Sequence, residues 1–163
     1  MSKKYFYLIF IDYNRAKTQQ NAKYIKENIL IKILIATHSH LSSALKDAVE
    51  LICGESQHIE IMSLYHETSI EEFTQAVAKT IETSIKQGES VLALVDIYGA
   101  SPFKACALSS KNIDPENYRI ISGVNLPMAI EAVMSRHLTL NELYVSVLQT
   151  GKESIKEFFN ELK

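Results

Sequence analysis

Short runs of apolar, β-branched residues alternate along the chain with longer stretches of helical spacing, and this alternation limits the possible folds more than any other feature. The runs are Ile29–Ala36, Ile59–Leu64, Val91–Val95 and Tyr118–Ile121. The first and third are almost unbroken, as strands buried on both faces must be. After the first run, Leu41, Leu45, Ala48, Val49 and Ile52 form one apolar stripe that stops at Gly54. After the second, Ile70, Phe73, Val77, Ile81 and Ile85 form another, opened by the capping pair Ser69 and Glu72 and closed by Gly88. After the third, Ser101 is placed to cap a helix with Pro102 at its first position and Phe103, Cys106, Ala107 and Ser110 along its face.

After the fourth run, Asn125 is placed to cap a helix with Pro127 in its first turn, burying Ile130, Val133 and Met134. Thr139 and Glu142 then open a last helical region with Leu143, Val147, Ile155, Phe158 and Leu162 on its apolar side, divided at Gly151. The order β-α-β-α-β-α-β-α-α predicts one α/β domain: an open, mainly parallel four-stranded sheet, strand order 2-1-3-4, with helices on both faces.

Charge divides the chain near residue 29. Residues 1–29 carry six Lys or Arg against two acids and four of the eight Tyr, whereas residues 30–163 carry 11 basic against 17 acidic residues. An acidic body is a poor match for a phosphate backbone, so nucleic acid is not an expected partner. Tyr5–Ile11 is apolar, but Asp12, Asn14 and Arg15 follow without a small-residue cleavage pattern, so a secretory signal is not indicated. Residues 1–29 are expected to be a dispensable N-terminal extension and 30–163 the functional domain. Two Cys make no disulfide scaffold and have no zinc-ligand spacing. No metal is expected, and a reducing, cytoplasmic location follows.

In open α/β sheets ligands bind beyond the carboxyl ends of the strands, where strand order reverses. Strand one ends in Ala36-Thr37-His38-Ser39-His40 and strand three in Asp96-Ile97-Tyr98-Gly99-Ala100-Ser101-Pro102. A 2-1-3-4 order makes these strands neighbours, which sets His38 beside Asp96. A carboxylate that accepts one imidazole N–H fixes the tautomer and leaves the other nitrogen nucleophilic. The start of the Ser101 helix, with its unpaired N–H groups, suits a phosphate in the same crevice. Together these point to phosphoryl transfer through phosphohistidine. Each residue also has a plainer reading: Asp96 as a turn former, Ser101 as a cap, Cys53 and Cys106 as core thiols, and His58, His66 and His137 as surface residues. A Ser101–His38–Asp96 hydrolase triad lacks the Gly-x-Ser-x-Gly elbow. Nucleotide-binding glycine patterns are missing, so no cofactor is expected.

Ile33-Leu34-Ile35-Ala36-Thr37-His38, Leu51-Ile52-Cys53-Gly54-Glu55, Val95-Asp96 with Gly99-Ala100-Ser101-Pro102-Phe103, and Ile121-Ser122-Gly123-Val124-Asn125-Leu126-Pro127-Met128 occur in that order. From about Leu30 onward the chain resembles the mannose-type enzyme IIA proteins of the bacterial phosphoenolpyruvate-dependent sugar phosphotransferase system. The resemblance implies that His38 accepts a phosphoryl group from HPr and passes it to enzyme IIB, which serves the membrane components IIC and IID. It implies that Asp96 partners the histidine and that Thr37, Ser39, Gly99, Ala100 and Ser101 bind the phosphate. It also implies a cytoplasmic homodimer, commonly built by exchanging a C-terminal edge strand. Against that pattern, Ser39 and Ala100 replace glycines and no fifth strand is visible. Ser39 is expected to keep offering its backbone N–H, and Ala100 to require a negative φ. His40 is a second acceptor by chemistry, though spacing and resemblance favour His38. A subunit feeding dihydroxyacetone kinase and a binding module read in its phosphorylated and unphosphorylated forms share the same histidine. The sugar is not legible in this chain.

Overall fold

The computed structural model describes residues 31–161; residues 1–30 and 162–163, and with them the predicted N-terminal extension, the first two residues of the first run and Leu162, lie outside that range. The elements are β1 (Ile31–His38), α1 (Leu41–Cys53), β2 (Ile59–Leu64), α2 (Ile70–Lys86), β3 (Ser90–Val95), α3 (Ser101–Ser109), β4 (Tyr118–Ser122), α4 (Leu126–Met134) and α5 (Leu140–Glu153), with a 3-10 turn at Ser110–Asn112. The four strands are parallel in the order β2-β1-β3-β4, as expected.

The sheet explains its own composition. β1 and β3 are the central strands, and β3 is buried at every position. Side chains alternate between two cores. Ile31, Ile33, Ile35, Leu92, Leu94 and Ile121 pack on one face against α1, α4 and α5. Leu34, Ala36, Val91, Ala93 and Val95 pack on the other against α2 and α3. Leu34, Ile35, Leu92 and Leu94 have no exposed surface; burying one such side chain contributes about 1.5–3 kcal/mol.

Three expectations along the helices need correction. Ile52, Ile70 and Met134 belong to the predicted stripes by spacing, yet each is more than half exposed. They sit in the terminal turns of their helices. The helix after β3 starts one residue earlier than expected: Ala100 is the N-cap, extended at φ −78°, and Ser101 is the first helical residue. Finally, α5 runs unbroken through Gly151 and stops at Glu153. Its end is tied off by side chains, since Asn125 Nδ2 and Ser154 Oγ both donate to the Gly151 carbonyl, at 3.2 and 2.8 Å. Beyond that point Ile155 and Phe158 are exposed.

Candidate functional site

The register places Ala36 opposite Val95, so β1 and β3 run out of the sheet side by side with His38 beside Asp96. Leu34 and Ala36 face α2 and α3, and alternation puts His38 on that same side. Asp96 Oδ2 lies 2.8 Å from His38 Nδ1 and also 2.8 Å from the His38 backbone nitrogen, while Asp96 Oδ1 accepts the Ile97 N–H at 2.8 Å. One carboxylate thus holds both the backbone and the ring of the histidine. An ionised carboxylate can only accept, so Nδ1 carries a ring proton, and in the neutral imidazole the lone pair is then on Nε2. The ring is 42% exposed and the carboxylate 10%. The imidazole is thus the more accessible member of the pair and the carboxylate the shielded one.

Burial pushes the Asp96 carboxyl up, but the His38 backbone N–H, the His38 ring and the Ile97 N–H more than offset it. Its acidity therefore sits below the usual carboxylate range and it is ionised at neutral pH. Two residues at the end of β4 secure it further. Gly123 N–H donates to the Asp96 carbonyl and Val124 N–H to the Val95 carbonyl, both at 3.0 Å, so the β4 end braces the β3 end. Only strand order makes that contact visible.

The structure distributes the predicted phosphate-side residues unevenly. Thr37 is fully buried on the face opposite His38, its Oγ1 3.4 Å from the His38 carbonyl. Gly99 has φ 75° and turns the chain between Asp96 and α3. Ala100 has the negative φ that a side chain there requires. Because Ala100 holds the cap position, the Ser101 hydroxyl is released from capping. The expectation for the Ser39 backbone fails: its N–H donates to the Leu64 carbonyl at 2.8 Å and is used up in the turn.

The helix starts are also unequal. Ser69, Asn125 and Thr139 cap α2, α4 and α5 through their side chains. The two helices that follow the site's own strand ends, α1 and α3, have no side-chain cap. Their first-turn N–H groups are open to an anion. Aromatic and apolar groups surround the opening. Tyr98 packs at a tilt against Phe103 with centroids 4.5 Å apart, His40 meets Tyr65 at 5.1 Å, and Ile97 and Leu41 are exposed. His40 is therefore engaged with Tyr65 and, among the described residues, lacks a carboxylate partner of the kind His38 has.

The structure thus sets an imidazole–carboxylate pair at the carboxyl edge of an open parallel α/β sheet. Comparison with known proteins defines it further. Residues 32–148 match the family model described as the phosphotransferase system (PTS) fructose IIA component. The chain is 34% identical over 132 residues, 77% of its length, to the PTS system mannose-specific EIIAB component of Escherichia coli (strain K12), and spans 39% of that relative. It is 27% identical to the PTS system sorbose-specific EIIA component of Lacticaseibacillus casei, covering 80% of this chain and 88% of the relative. The crystal structure of phosphotransferase system component EIIA from Streptococcus agalactiae superposes with a TM-score of 0.71 at 25% identity, covering 80% of this chain and 99% of that one. The chain belongs to the mannose-class enzyme IIA family of the sugar phosphotransferase system.

Proposed function

We propose that this protein is a phosphocarrier in which His38 Nε2 takes a phosphoryl group from the phosphohistidine of HPr and gives it to enzyme IIB. The observation that carries this reading is the 2.8 Å contact between His38 Nδ1 and Asp96 Oδ2, which in the neutral ring puts the lone pair on Nε2 of a side chain that is 42% exposed. The Nε2 lone pair attacks phosphorus in line, the donor's N–P bond breaks, and its electron pair returns to the donor imidazole. The phosphorylated His38 ring keeps its Nδ1 proton and becomes cationic, and the Asp96 carboxylate offsets that charge. Transfer onward reverses these steps with the IIB acceptor.

Little other protein chemistry is needed, because phosphoryl transfer depends on positioning and charge stabilisation. The uncapped starts of α1 and α3 and the Ser101 hydroxyl would meet the phosphoryl oxygens. The apolar rim formed by Leu41, Ile97, Tyr98 and Phe103 would exclude water when a partner docks. Among the described residues no helix is long and apolar enough to cross a membrane. On this reading a cytoplasmic, homodimeric protein reaches the transporter components IIC and IID only through IIB. His38→Ala is expected to abolish labelling by phosphoenolpyruvate, enzyme I and HPr. Labelling that persists in this variant would refute the assignment.

A further inference from the structure

Five described residues have positive φ, and four of them are glycines. The fifth is Ser39, at φ 52°, directly after the histidine. The left-handed region strains an L-residue and is taken most easily by Gly or Asn. Where such a residue persists beside a reacting group, strain is often retained for function.

Neither helix capping nor a local hydrogen bond accounts for a serine at this position. Ser39 does not cap α1, whose N-cap is His40 with no side-chain bond. Its backbone N–H is spent on the Leu64 carbonyl. Its side chain is exposed, and its hydroxyl has no partner among the described residues. What remains is an O–H donor on the residue after a histidine whose side chain is 42% exposed. We propose that the Ser39 hydroxyl donates a hydrogen bond to the phosphoryl group carried on His38 and lengthens the lifetime of the phosphorylated protein. This rests on the phosphocarrier reading and adds to it a side-chain contact that a glycine could not make.

Strain and hydrogen bonding can be separated with three substitutions in the full chain. Ser39→Ala keeps the strain and removes the donor, Ser39→Gly removes both, and Ser39→Asn eases the strain and keeps a donor. Each protein is phosphorylated with phosphoenolpyruvate, enzyme I and HPr. The donors are then removed, and the half-life of the phosphohistidine is followed by phosphorus NMR alongside the urea midpoint. The expected result is a half-life shortened on the order of tenfold in Ser39→Ala and Ser39→Gly alike, as losing a hydrogen bond to a charged group predicts. Ser39→Asn should stay within about twofold of wild type. The urea midpoint should rise in Ser39→Gly and stay near wild type in Ser39→Ala. Unchanged half-lives in Ser39→Ala and Ser39→Gly would overturn the assignment, as would half-lives that follow the midpoints rather than the donor. If wild type takes no label on His38, the phosphocarrier reading fails and this inference fails with it. A labelled wild type with insensitive variants overturns the inference alone.

Discussion

Asp96 spends one carboxylate on three N–H groups, and this makes it the most informative single residue to change. In Asp96→Asn the amide can accept through its oxygen only, and its NH2 facing Nδ1 would favour a proton on Nε2. The attacking nitrogen would then be blocked. Losing a charge-assisted hydrogen bond costs about 1.5–3 kcal/mol, so transfer through His38 is expected to slow by about tenfold to 150-fold. Quench-flow phosphorylation measures this, and an unchanged rate would leave Asp96 a purely structural brace.

The same residue carries a pH signature. Its acidity is depressed in the folded state, although burial alone would raise it, because three N–H donors favour the charged form. Its contribution is therefore fully present above the unfolded value of about 3.9 and is lost as pH falls through the lower folded value. The stability difference between wild type and Asp96→Asn should be widest near neutrality and should close below about pH 4. Urea titrations at pH 7, 5 and 3 test this, and a gap that widens with acid would contradict it.

Among the elements, the α4–α5 contact is the tightest in the molecule at a glycine. A Cβ placed on Gly151 would lie 2.5 Å from Met128 Cγ and 2.6 Å from Met128 Sδ. Met128 is itself buried, at 3% exposure, so its side chain has little room to yield. Overpacking of this kind costs about 1–3 kcal/mol, against roughly 1 kcal/mol gained by replacing a helical glycine with alanine. Gly151→Ala is expected to lower stability by up to about 2 kcal/mol. In a Met128→Ala background the same substitution should be neutral or stabilising, and a double-mutant cycle in urea shows the change of sign. In the sequence Gly151 is legible only as a break point. Its actual role, close approach of two helices, depends on a partner residue 23 positions away.

Helix caps are legible where the side chain does the capping. Asn125 accepts the Met128 N–H at 3.0 Å, and Thr139 with Glu142 forms the full reciprocal box. Ser101 is not legible in the same way, because Ser-Pro satisfies two registers. The serine can cap with proline first, or it can open the helix with proline second, and local preference hardly separates these.

At the scale of the whole molecule, the sheet with its two helical layers should open as one unit, and Cys106 reports on it. Burial pushes this thiol up to about 12, and Tyr118 Oη donates to its backbone carbonyl at 3.0 Å. Cys53 is only half buried. At pH 8 a thiol reagent is expected to modify Cys53 in the native protein and to reach Cys106 only at the rate of global unfolding. Cys106 labelling that is fast and insensitive to denaturant would mean that α3, which opens beside the site, detaches independently.

The four strands, their parallel class and the strand pair that meets at the site were all determined by the sequence. Runs of Val, Ile and Leu buried on both faces leave few other arrangements, and crossover helices fix the sense of each strand. His38 and Asp96 were likewise determined, since each closes or follows a central strand. Tertiary structure alone decided that one oxygen of Asp96 grips both the ring and the backbone of His38, and that the β4 end braces Asp96. It also decided that the Leu64 carbonyl consumes the Ser39 N–H, and that Ile52, Ile70 and Met134 stay exposed at the ends of their helices. The physical reason is common to all of these. Periodicity reports which face of an element must leave water, whereas the partner of a polar group, or the neighbour at the end of a helix, is set by residues far away in the chain.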